Sequence, residues 1–324
     1  MNKRILIITI LSVFAAVQFS GCSLLRKRVE KKEKTEYKLT SINKNSISLN
    51  NVSGEIKVTG TNDTTGTITV IAEKTAEVKR DEMDKPIESV QVKLDTTGKD
   101  IKIETEYRKT HFSLFSKHDD GSVNYEIKVP AGIAVDIDNT NGTISFSEIS
   151  NDIKVNSVNG NINLVRCRGN IKIDGVNGGV FANLDSLKGL TVDIVNGNIK
   201  VGSLKDANAR VSANTTNGRV KLNNLTFSDF VSGKKSLSGT LGTGTGVVKL
   251  ETVNGSITLD ANDIALSKKK SFDNFNFQFD FDDEDNVKVE KNQKKDGAKT
   301  LDSNTQDSKT RDSKTQDTNS SRAK

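Results

Sequence analysis

The segment Ser157-Val-Asn-Gly160-Asn-Ile-Asn-Leu164 decides the fold, because it joins an Asn-Gly turn to residues that alternate between apolar and polar. Such alternation is typical of a strand with one buried face, and Asn-Gly beside it is a strong signal for a tight reversal of the chain. The phrase occurs six times. Its Asn-Gly pairs are Asn141-Gly142, Asn159-Gly160, Asn177-Gly178, Asn196-Gly197, Asn217-Gly218 and Asn254-Gly255. With 2 Pro, no Trp and 24 Gly in 324 residues, the composition also favours short strands joined by turns.

The spacing of these turns predicts a repeat protein. The first five glycines stand 18, 18, 19 and 21 residues apart, and the last step, to Gly255, is 37, close to two repeats. Weaker strand-like segments, such as 151–155 and 168–173, lie between the turns, so each repeat carries two short strands. One such unit cannot bury its own apolar face and must stack on its neighbours. We therefore predict an all-β, β-solenoid-like stack of short strands over residues 131–265, with 238–241 as the missing phrase.

Two physical reasons account for Asn-Gly at each corner. Glycine adopts a positive φ without a clash, and Asn tolerates it better than most residues, which suits a tight change of direction. Asn side chains of successive coils, about 4.8 Å apart, can also bond to one another as a ladder. The sequence does not decide between these reasons for Asn.

The alternation also assigns residues to the two faces of the strands. Those predicted to lie inside are Ile144, Phe146, Ile153, Val155, Ile162, Leu164, Ile171, Ile173, Val192, Ile194, Ile199, Val201, Val220, Leu222, Val248, Leu250, Ile257 and Leu259. Those predicted to lie outside, where a partner would bind, include Asn161, Asn163, Lys172, Asn198 and Lys200.

Residues 45–130 form a second strand-rich region before the repeats. Six segments alternate apolar with polar residues, among them Val123-Asn-Tyr-Glu-Ile-Lys-Val129. The polar stretch 73–86 has enough Ala, Glu and Lys to allow a short helix. Pro130-Ala-Gly132 marks the boundary with the repeats.

Residues 1–21 have the features of a bacterial lipoprotein signal peptide. Lys3 and Arg4 precede an apolar segment too short to span a bilayer, and Phe19-Ser-Gly-Cys22 resembles a lipobox, although Phe19 stands where Leu is usual. The resemblance implies cleavage before Cys22 and lipid on its thiol, which would anchor the protein in a membrane. Residues 22–44 are then predicted to be a polar tether. The basic run at 26–34 either contacts anionic headgroups or stays solvated, and the sequence leaves both open.

Residues 266–324 follow the repeats. Phenylalanines recur at nearly alternate positions from Phe272 to Phe281, and the rest is rich in Asp, Ser, Thr, Lys and Gln, a composition typical of disorder. An uncovered end of stacked strands promotes aggregation. We therefore predict that the Phe-rich segment caps the open end of the stack, with a patch for a partner as the alternative.

Residues suited to catalysis or metal binding are scarce. His111 and His118 are the only histidines, their spacing fits no zinc site, and the acidic run at 280–285 lacks the glycine of a calcium loop. Cys167 is interpreted as a small core residue rather than a reactive thiol. The net charge of +6 is mild and interspersed, which does not favour nucleic-acid binding. We predict no catalytic residue, no metal and no cofactor.

The order of these segments resembles a bacterial family of β-strand-repeat proteins labelled "putative adhesins". Tyr125-Glu-Ile-Lys-Val-Pro130 precedes the repeats, and Leu250-Glu-Thr-Val-Asn-Gly-Ser-Ile-Thr-Leu259 closes them, as in that family. The resemblance covers about residues 46–265. It implies a stacked β-fold and a location in the cell envelope, and it brings no active site or ligand.

We therefore expect a lipid-anchored protein of the bacterial cell envelope, in the outer membrane if the cell has two membranes. It would present a β-repeat surface to an unknown protein or glycan, for adhesion or scaffolding. One alternative is an accessory protein in envelope-stress signalling. Another is a glycan-cleaving enzyme, against which stand the lack of aromatic sugar platforms and of a convincing acidic cluster.

Overall fold

The computed structural model describes residues 28–107 and 121–264. Cys22, both histidines and the segment 266–324 lie outside these ranges, and so does the predicted cap. Every described residue belongs to one unit of the chain. The only helix within the described ranges is a single 3₁₀ turn, Arg80–Glu82. No helix there has the length and apolar character needed to cross a membrane.

Two sheets, one of ten strands and one of eleven, pack on a common apolar core. The ten-stranded sheet contains, in spatial order, β1 Arg28–Thr40, β4 Thr67–Lys79, β7 Ser122–Pro130, β3 Ile56–Thr61, β9 Ile144–Ser147, β11 Ile162–Cys167, β13 Val180–Leu184, β15 Ile199–Gly202, β21 Ile257–Asp260 and β17 Val220–Asn223. The eleven-stranded sheet contains, in spatial order, β18 Ser228–Ser232, β19 Ser236–Leu241, β16 Ala209–Asn217, β20 Gly246–Asn254, β14 Gly189–Asn196, β12 Asn170–Asn177, β10 Ile153–Asn159, β8 Ala134–Asn141, β2 Ser46–Ser53, β6 Asp100–Tyr107 and β5 Val90–Asp95.

Each coil of the stack, meaning one strand in each sheet and the turn between them, pairs in parallel with the next coil. Strand β10 pairs with β8 and β12, for example, while β11, its partner in the same coil, pairs with β9 and β13. This is the predicted β-solenoid-like architecture. Of the eighteen residues predicted to lie inside, sixteen are buried. Val220 and Leu222 are half-buried, because β17 is an edge strand with a neighbour on one side only.

The stack begins before residue 131, and the boundary at Pro130 is not a break between regions. Strands β2 and β3 form a coil whose corner is Ser53-Gly54 in place of Asn-Gly, and they pair directly with β8 and β9. Beyond that coil lie β6 and β7, which pair in parallel with β2 and β3. Residues 62–133 are therefore an excursion that adds a further coil to the end of the stack.

The last coil in sequence, formed by β20 and β21, does not lie at the end of the stack. Strand β20 is inserted between β14 and β16, and β21 between β15 and β17, in parallel with both neighbours. The predicted missing phrase at 238–241 is not a coil. It belongs to β19, which runs antiparallel to β16 on the opposite side from β20. The step of 37 residues therefore contains a hairpin excursion, β18 and β19, and a return to the near side of β16.

Strand β1 lies within residues 22–44, for which the sequence predicted a polar tether. It also includes most of the basic run at 26–34, for which the sequence left headgroup contact and solvation as alternatives. It pairs with all thirteen residues of β4, antiparallel. Lys31 is buried, and its Nζ lies 3.0 Å from Glu33 Oε1. The short helix allowed at 73–86 is also largely replaced by strand, since β4 continues to Lys79 and only the 3₁₀ turn follows.

Candidate binding surface

The corner that joins the two sheets is built around a ladder of Asn side chains. In each coil the Nδ2 of one Asn donates to the Oδ1 of the Asn in a neighbouring coil, at 2.7–2.9 Å. The order along the stack is Asn141, Asn159, Asn177, Asn196, Asn254 and Asn217. None of the six has a positive φ. Asn is therefore used here for its side-chain hydrogen bonds and not for its tolerance of a left-handed backbone.

The glycine after each Asn is required by the neighbouring coil as well as by its own backbone. A Cβ on Gly178 would lie 2.1 Å from the carbonyl oxygen of Gly160, and one on Gly160 would lie 2.1 Å from that of Gly142. The corner glycines Gly142, Gly160 and Gly178 also have φ values of +131°, +145° and +139°. At Gly218 and Gly255 the obstacle is steric alone, with the carbonyl oxygen of the adjacent coil 1.9 Å from the added Cβ.

A row of buried polar side chains supports the same corner from inside. Thr252 Oγ1 donates to the carbonyl of Gly197 at 3.1 Å, and Thr215 Oγ1 donates to that of Gly255 at 2.7 Å. Asn139 Nδ2 donates to the carbonyl of Gly142 at 3.3 Å. Buried polar groups are costly unless they are bonded. Here the two hydroxyls and the Asn139 amide donate to turn carbonyls and hold successive corners in register, whereas Asn139 Oδ1 and Ser157 Oγ have no hydrogen-bond partner among the described residues.

Outside the ladder, each coil has one β-branched residue just before the ladder position, and all of these residues except Thr140 are exposed. This valine row consists, in spatial order, of Val52, Thr140, Val158, Val176, Val195, Val253 and Thr216. Its five valines are between 41% and 45% exposed. Seven coils spaced about 4.8 Å apart make a stripe about 29 Å long. A repeated apolar stripe of this kind is a feature of interaction surfaces.

Two residues earlier on each strand, a second row carries negative charge. This acidic row consists, in spatial order, of Glu104, Asn50, Asp138, Asn156, Asp174, Asp193, Glu251 and Asn214. A lysine-bearing row lies beyond it and partly neutralises it. Lys172 Nζ lies 2.9 Å from Asp174 Oδ2, and Lys249 Nζ lies 2.9 Å from Glu251 Oε2. The hydrogen bond to Glu251 raises the pKa of Lys249 above its ordinary value.

A shallow groove of about 580 Å³ runs between the valine row and the acidic row. It crosses the strands of several coils and is lined by Val52, Val158, Val176, Val195, Asp138 and Asp174, among others. The groove is floored by regular sheet, so its side chains are held at fixed spacing. It offers apolar contact on one side and carboxylates on the other.

The five residues predicted to face a partner differ in exposure and in the sheet on which they lie. Lys172 lies on the groove face and is exposed. Asn161 and Asn198 are half-buried, and each Oδ1 accepts a backbone N–H of the next coil. Asn163 is 5% exposed, so its assignment to the outside surface was wrong. Lys200 is half-buried on the other sheet.

Sequence reasoning missed the valine row, although its signal is visible. Four of the six Asn-Gly phrases have Val immediately before Asn, and the other two have Thr. In an alternating strand that position faces outward, like the polar residue two before it, although valine is apolar. Val158 thus continues the outward series of Lys154 and Asn156, and only Asn159, which is also exposed, departs from the period of two.

The titratable groups of the interior have packing roles. Cys167 is fully buried, which confirms its interpretation as a core residue, and burial raises the pKa of its thiol to about 11. Tyr125 is also buried, which raises its pKa, and its hydroxyl lies 2.7 Å from Thr105 Oγ1. Within residues 28–107 and 121–264, no group of three or more His, Cys, Asp or Glu side chains is placed to hold a metal ion.

The fold and its repeated surface define a class of protein: an all-β stack of parallel coils with a regular outer face. More specifically, the chain belongs to the Toastrack DUF4097 family, whose profile matches residues 18–260. This match confirms the family resemblance seen in the sequence.

Solved structures with a similar arrangement include a putative cell adhesion protein from Clostridium sporogenes and a putative adhesin from Bacteroides fragilis. The first is 13% identical, with a TM-score of 0.45, and the match covers 71% of this chain and 99% of that one. The second is 14% identical, with a TM-score of 0.30, and the match covers 71% of this chain and 96% of that one. No curated protein matches the sequence.

Proposed function

We propose that this protein is a lipid-anchored, non-catalytic component of the bacterial cell envelope that holds an extended partner in the groove beside the valine row, in adhesion or scaffolding. The observation that carries the proposal is the groove itself. Along the five coils from β2 to β14, one side carries four valines and a threonine, and the other carries three Asp and two Asn. This fixed spacing suits a partner that lies across the strands and makes similar contacts several times.

The chemistry of the groove favours an extended protein segment over a glycan. Sugars are commonly bound by stacking on aromatic rings, whereas the groove is lined with valine, Asn and Asp. Valine side chains offer apolar contact to aliphatic groups of a partner, and Asp138, Asp174 and Asp193 offer acceptors to its lysine or arginine side chains. A partner segment with alternating apolar and basic residues therefore fits best.

Membrane attachment through Cys22 is part of the proposal and is supported by the signal-peptide pattern before it. Two or three acyl chains would hold the protein firmly, because each buried methylene contributes about 0.8 kcal/mol. The Cys22→Ala protein should leave the membrane fraction, and the wild-type protein should carry the mass of acyl chains at Cys22. If the wild-type protein has no acyl mass and the variant stays bound, the anchor is disproved.

The groove is tested by adding charge to the valine row. The variant Val158→Lys, Val176→Lys, Val195→Lys places three cations in an apolar stripe and should abolish adhesion of cells that depend on this protein. A matched control, Ser48→Lys, Thr191→Lys, Ser212→Lys, adds the same charge to the same face outside the valine row and should adhere like wild type. Equal adhesion of the groove variant and the control would refute a role for the groove in adhesion.

Protease treatment of intact cells separates adhesion from the alternative in envelope-stress signalling. An adhesin must be cut by protease added outside, because its groove must meet a partner there. If the protein is cut only after the outer membrane is opened, adhesion is refuted, and crosslinking from a photoreactive residue at Val176 to a membrane sensor would support signalling instead.

A further inference from the structure

The six Asn-Gly pairs have the same sequence but differ in how the glycine N–H is bonded. In five pairs it donates to the backbone carbonyl of the Asn in an adjacent coil, at 2.9–3.0 Å. These five glycines are Gly142, Gly160, Gly178, Gly197 and Gly255. Gly218 belongs to the coil of β16 and β17, which is the last parallel coil of the described stack. No backbone carbonyl of residues 28–107 or 121–264 accepts its N–H. Gly218 therefore lacks the bond that the other five glycines share.

The side chain of Asn217 is also held on one side only. Its Nδ2 donates to Asn254 Oδ1 at 2.8 Å, whereas an Asn inside the ladder both donates to one neighbour and accepts from the other. Strand β19 pairs with β16 only as far as Asn214. One further bond on that side joins Thr215 N to the carbonyl of Lys235 at 2.9 Å. The corner of this last coil is thus open on its outer side.

An Asn-Gly pair whose atoms are free to move is chemically labile. The backbone nitrogen of the glycine attacks Cγ of the Asn side chain, and no Cβ hinders its approach. A nitrogen–Cγ bond forms, the bond from Cγ to the side-chain nitrogen breaks, and the proton of the backbone nitrogen leaves with that group as ammonia. Water then opens the succinimide ring at either carbonyl and gives Asp or isoaspartate. The whole reaction consumes one water, releases one ammonia and needs no oxidant, reductant or enzyme.

We propose that Asn217 is a site of spontaneous deamidation in the folded protein, and that the stack protects the other five Asn-Gly pairs. At Asn177, attack requires that Gly178 N–H leave the carbonyl of Asn196 and that both ladder bonds of Asn177 break. At Asn217, only the bond to Asn254 has to break. Groups that react only when a structured segment opens are protected by the free energy of that opening. The proposal goes beyond the proposed function, since the groove lies on the coils from β2 to β14.

The modification would loosen the last corner of the stack. A carboxylate at position 217 has no N–H to donate to Asn254 Oδ1. Isoaspartate also adds a methylene group to the backbone, which disturbs the register of Asn217 with Asn254. The bond from Gly255 N to the carbonyl of Asn217, 3.0 Å in the unmodified chain, depends on that register. Hydrogen exchange at Gly255 should therefore be faster in the modified protein than in the unmodified protein.

The test follows all six pairs at once in the full-length protein. After incubation in mildly alkaline buffer, peptide mass spectrometry should show conversion at Asn217 at least about tenfold faster than at any other Asn-Gly pair, because the others must open first. The same incubation in guanidinium is the control for the effect of flanking residues. There the six rates should lie within about threefold of one another, since no coil remains to protect any pair. Hydrogen exchange of the unmodified protein should be fast at Gly218 N–H and slow at Gly178 N–H.

The variant Asn217→Gln supplies a baseline for the mass signal. Glutamine keeps the side-chain amide, but its longer chain closes a ring far more slowly, so conversion at position 217 should disappear while the other five pairs react as in wild type. Equal rates at all six pairs of the folded protein, or faster conversion at another pair, would overturn the proposal. The same preference for Asn217 in guanidinium would overturn it too, because the difference would then come from flanking sequence. Slow hydrogen exchange at Gly218 would show that its N–H is engaged and would remove the basis of the inference.

Discussion

Asn254 Nδ2 donates a hydrogen bond to Asn196 Oδ1 at 2.7 Å, although 58 residues separate the two in sequence. Asn217, which lies between them in sequence, is bonded on the far side of Asn254. The last coil of the chain is thus inserted into a ladder whose other members follow chain order. Because every corner presents the same Asn side chain and the same glycine carbonyl, an inserted coil makes the same contacts as a sequential one.

The ladder predicts a graded effect of removing one Asn. Asn177→Ala deletes the bonds to both Asn159 and Asn196, whereas Asn217→Ala at the end of the ladder deletes only the bond to Asn254. A hydrogen bond contributes about 0.5–1.5 kcal/mol net. Urea unfolding should therefore show a loss of about 1–3 kcal/mol for Asn177→Ala and about half of that for Asn217→Ala. Equal losses at the two positions would contradict a ladder of independent side-chain bonds.

The corner glycines predict a larger effect. A methyl group on Gly178 meets the backbone carbonyl of Gly160, and backbone cannot move aside without displacing the coil. We expect Gly178→Ala to cost roughly 3 kcal/mol or more in the free energy of unfolding, combining this clash with the strain of φ at +139°. Gly233→Ala is the matched control, since its added methyl would have no atom closer than 3.7 Å. It should change stability by less than about 0.5 kcal/mol.

Much of this fold is visible in the sequence because its period is local. Alternation assigns core residues such as Ile162 and Leu164 correctly, and the Asn-Gly spacing gives parallel coils of two strands. The order of coils is not local. Nothing in the phrase around Asn254 distinguishes insertion between Asn196 and Asn217 from addition beyond Asn217, since both places offer the same partners.

The predictions for β1 and for the corner at Gly54 were wrong for physical reasons. The inward side of strand β1 has apolar residues at Val29, Tyr37 and Leu39, but Lys31, Glu33 and Thr35 stand between them. A buried lysine hides the strand period. The corner at Gly54 was missed because Ser53 stands where the later coils have Asn, although Gly54 has the same φ of +132° and the same close carbonyl.

The candidate groove was not predicted from the sequence for a different reason. It depends on an apolar residue at an outward position, because Val158 lies on the same side of its strand as Lys154 and Asn156, where a polar residue is expected. The outward residues chosen from alternation therefore included Asn163, which is covered, and omitted the valine row.

The buried thiol predicts a dependence of stability on alkaline pH. Burial raises the pKa of Cys167 from its ordinary value of 9.0 to about 11, so the folded state keeps the neutral thiol while the unfolded state ionises. This contribution to stability is fully present below pH 9 and is lost as pH rises toward 11, by about 2–3 kcal/mol in all. Tyrosine and lysine residues titrate nearby, so the measurement is the difference in unfolding free energy between wild type and Cys167→Ala from pH 8 to 11. That difference should shrink with pH, and a constant difference would show that the thiol is not protected.

The pair of Lys31 and Glu33 predicts that β1 is an integral strand rather than a tether. Lys31 is 5% exposed, and besides the ion pair its Nζ donates to the carbonyl of Lys85. Glu33 Oε1 also accepts the backbone N–H of Ile87 at 2.8 Å. Glu33→Gln keeps an acceptor for Ile87 and removes only the charge that compensates Lys31. Leaving a buried charge without its counterion costs about 3 kcal/mol, and guanidinium unfolding should show a loss of that order. The matched control is Glu30→Gln, which removes the exposed partner of Lys32 on the same strand and should cost less than about 1 kcal/mol. If both variants were equally stable, residues 28–40 would be a tether that does not pack on β4 in solution.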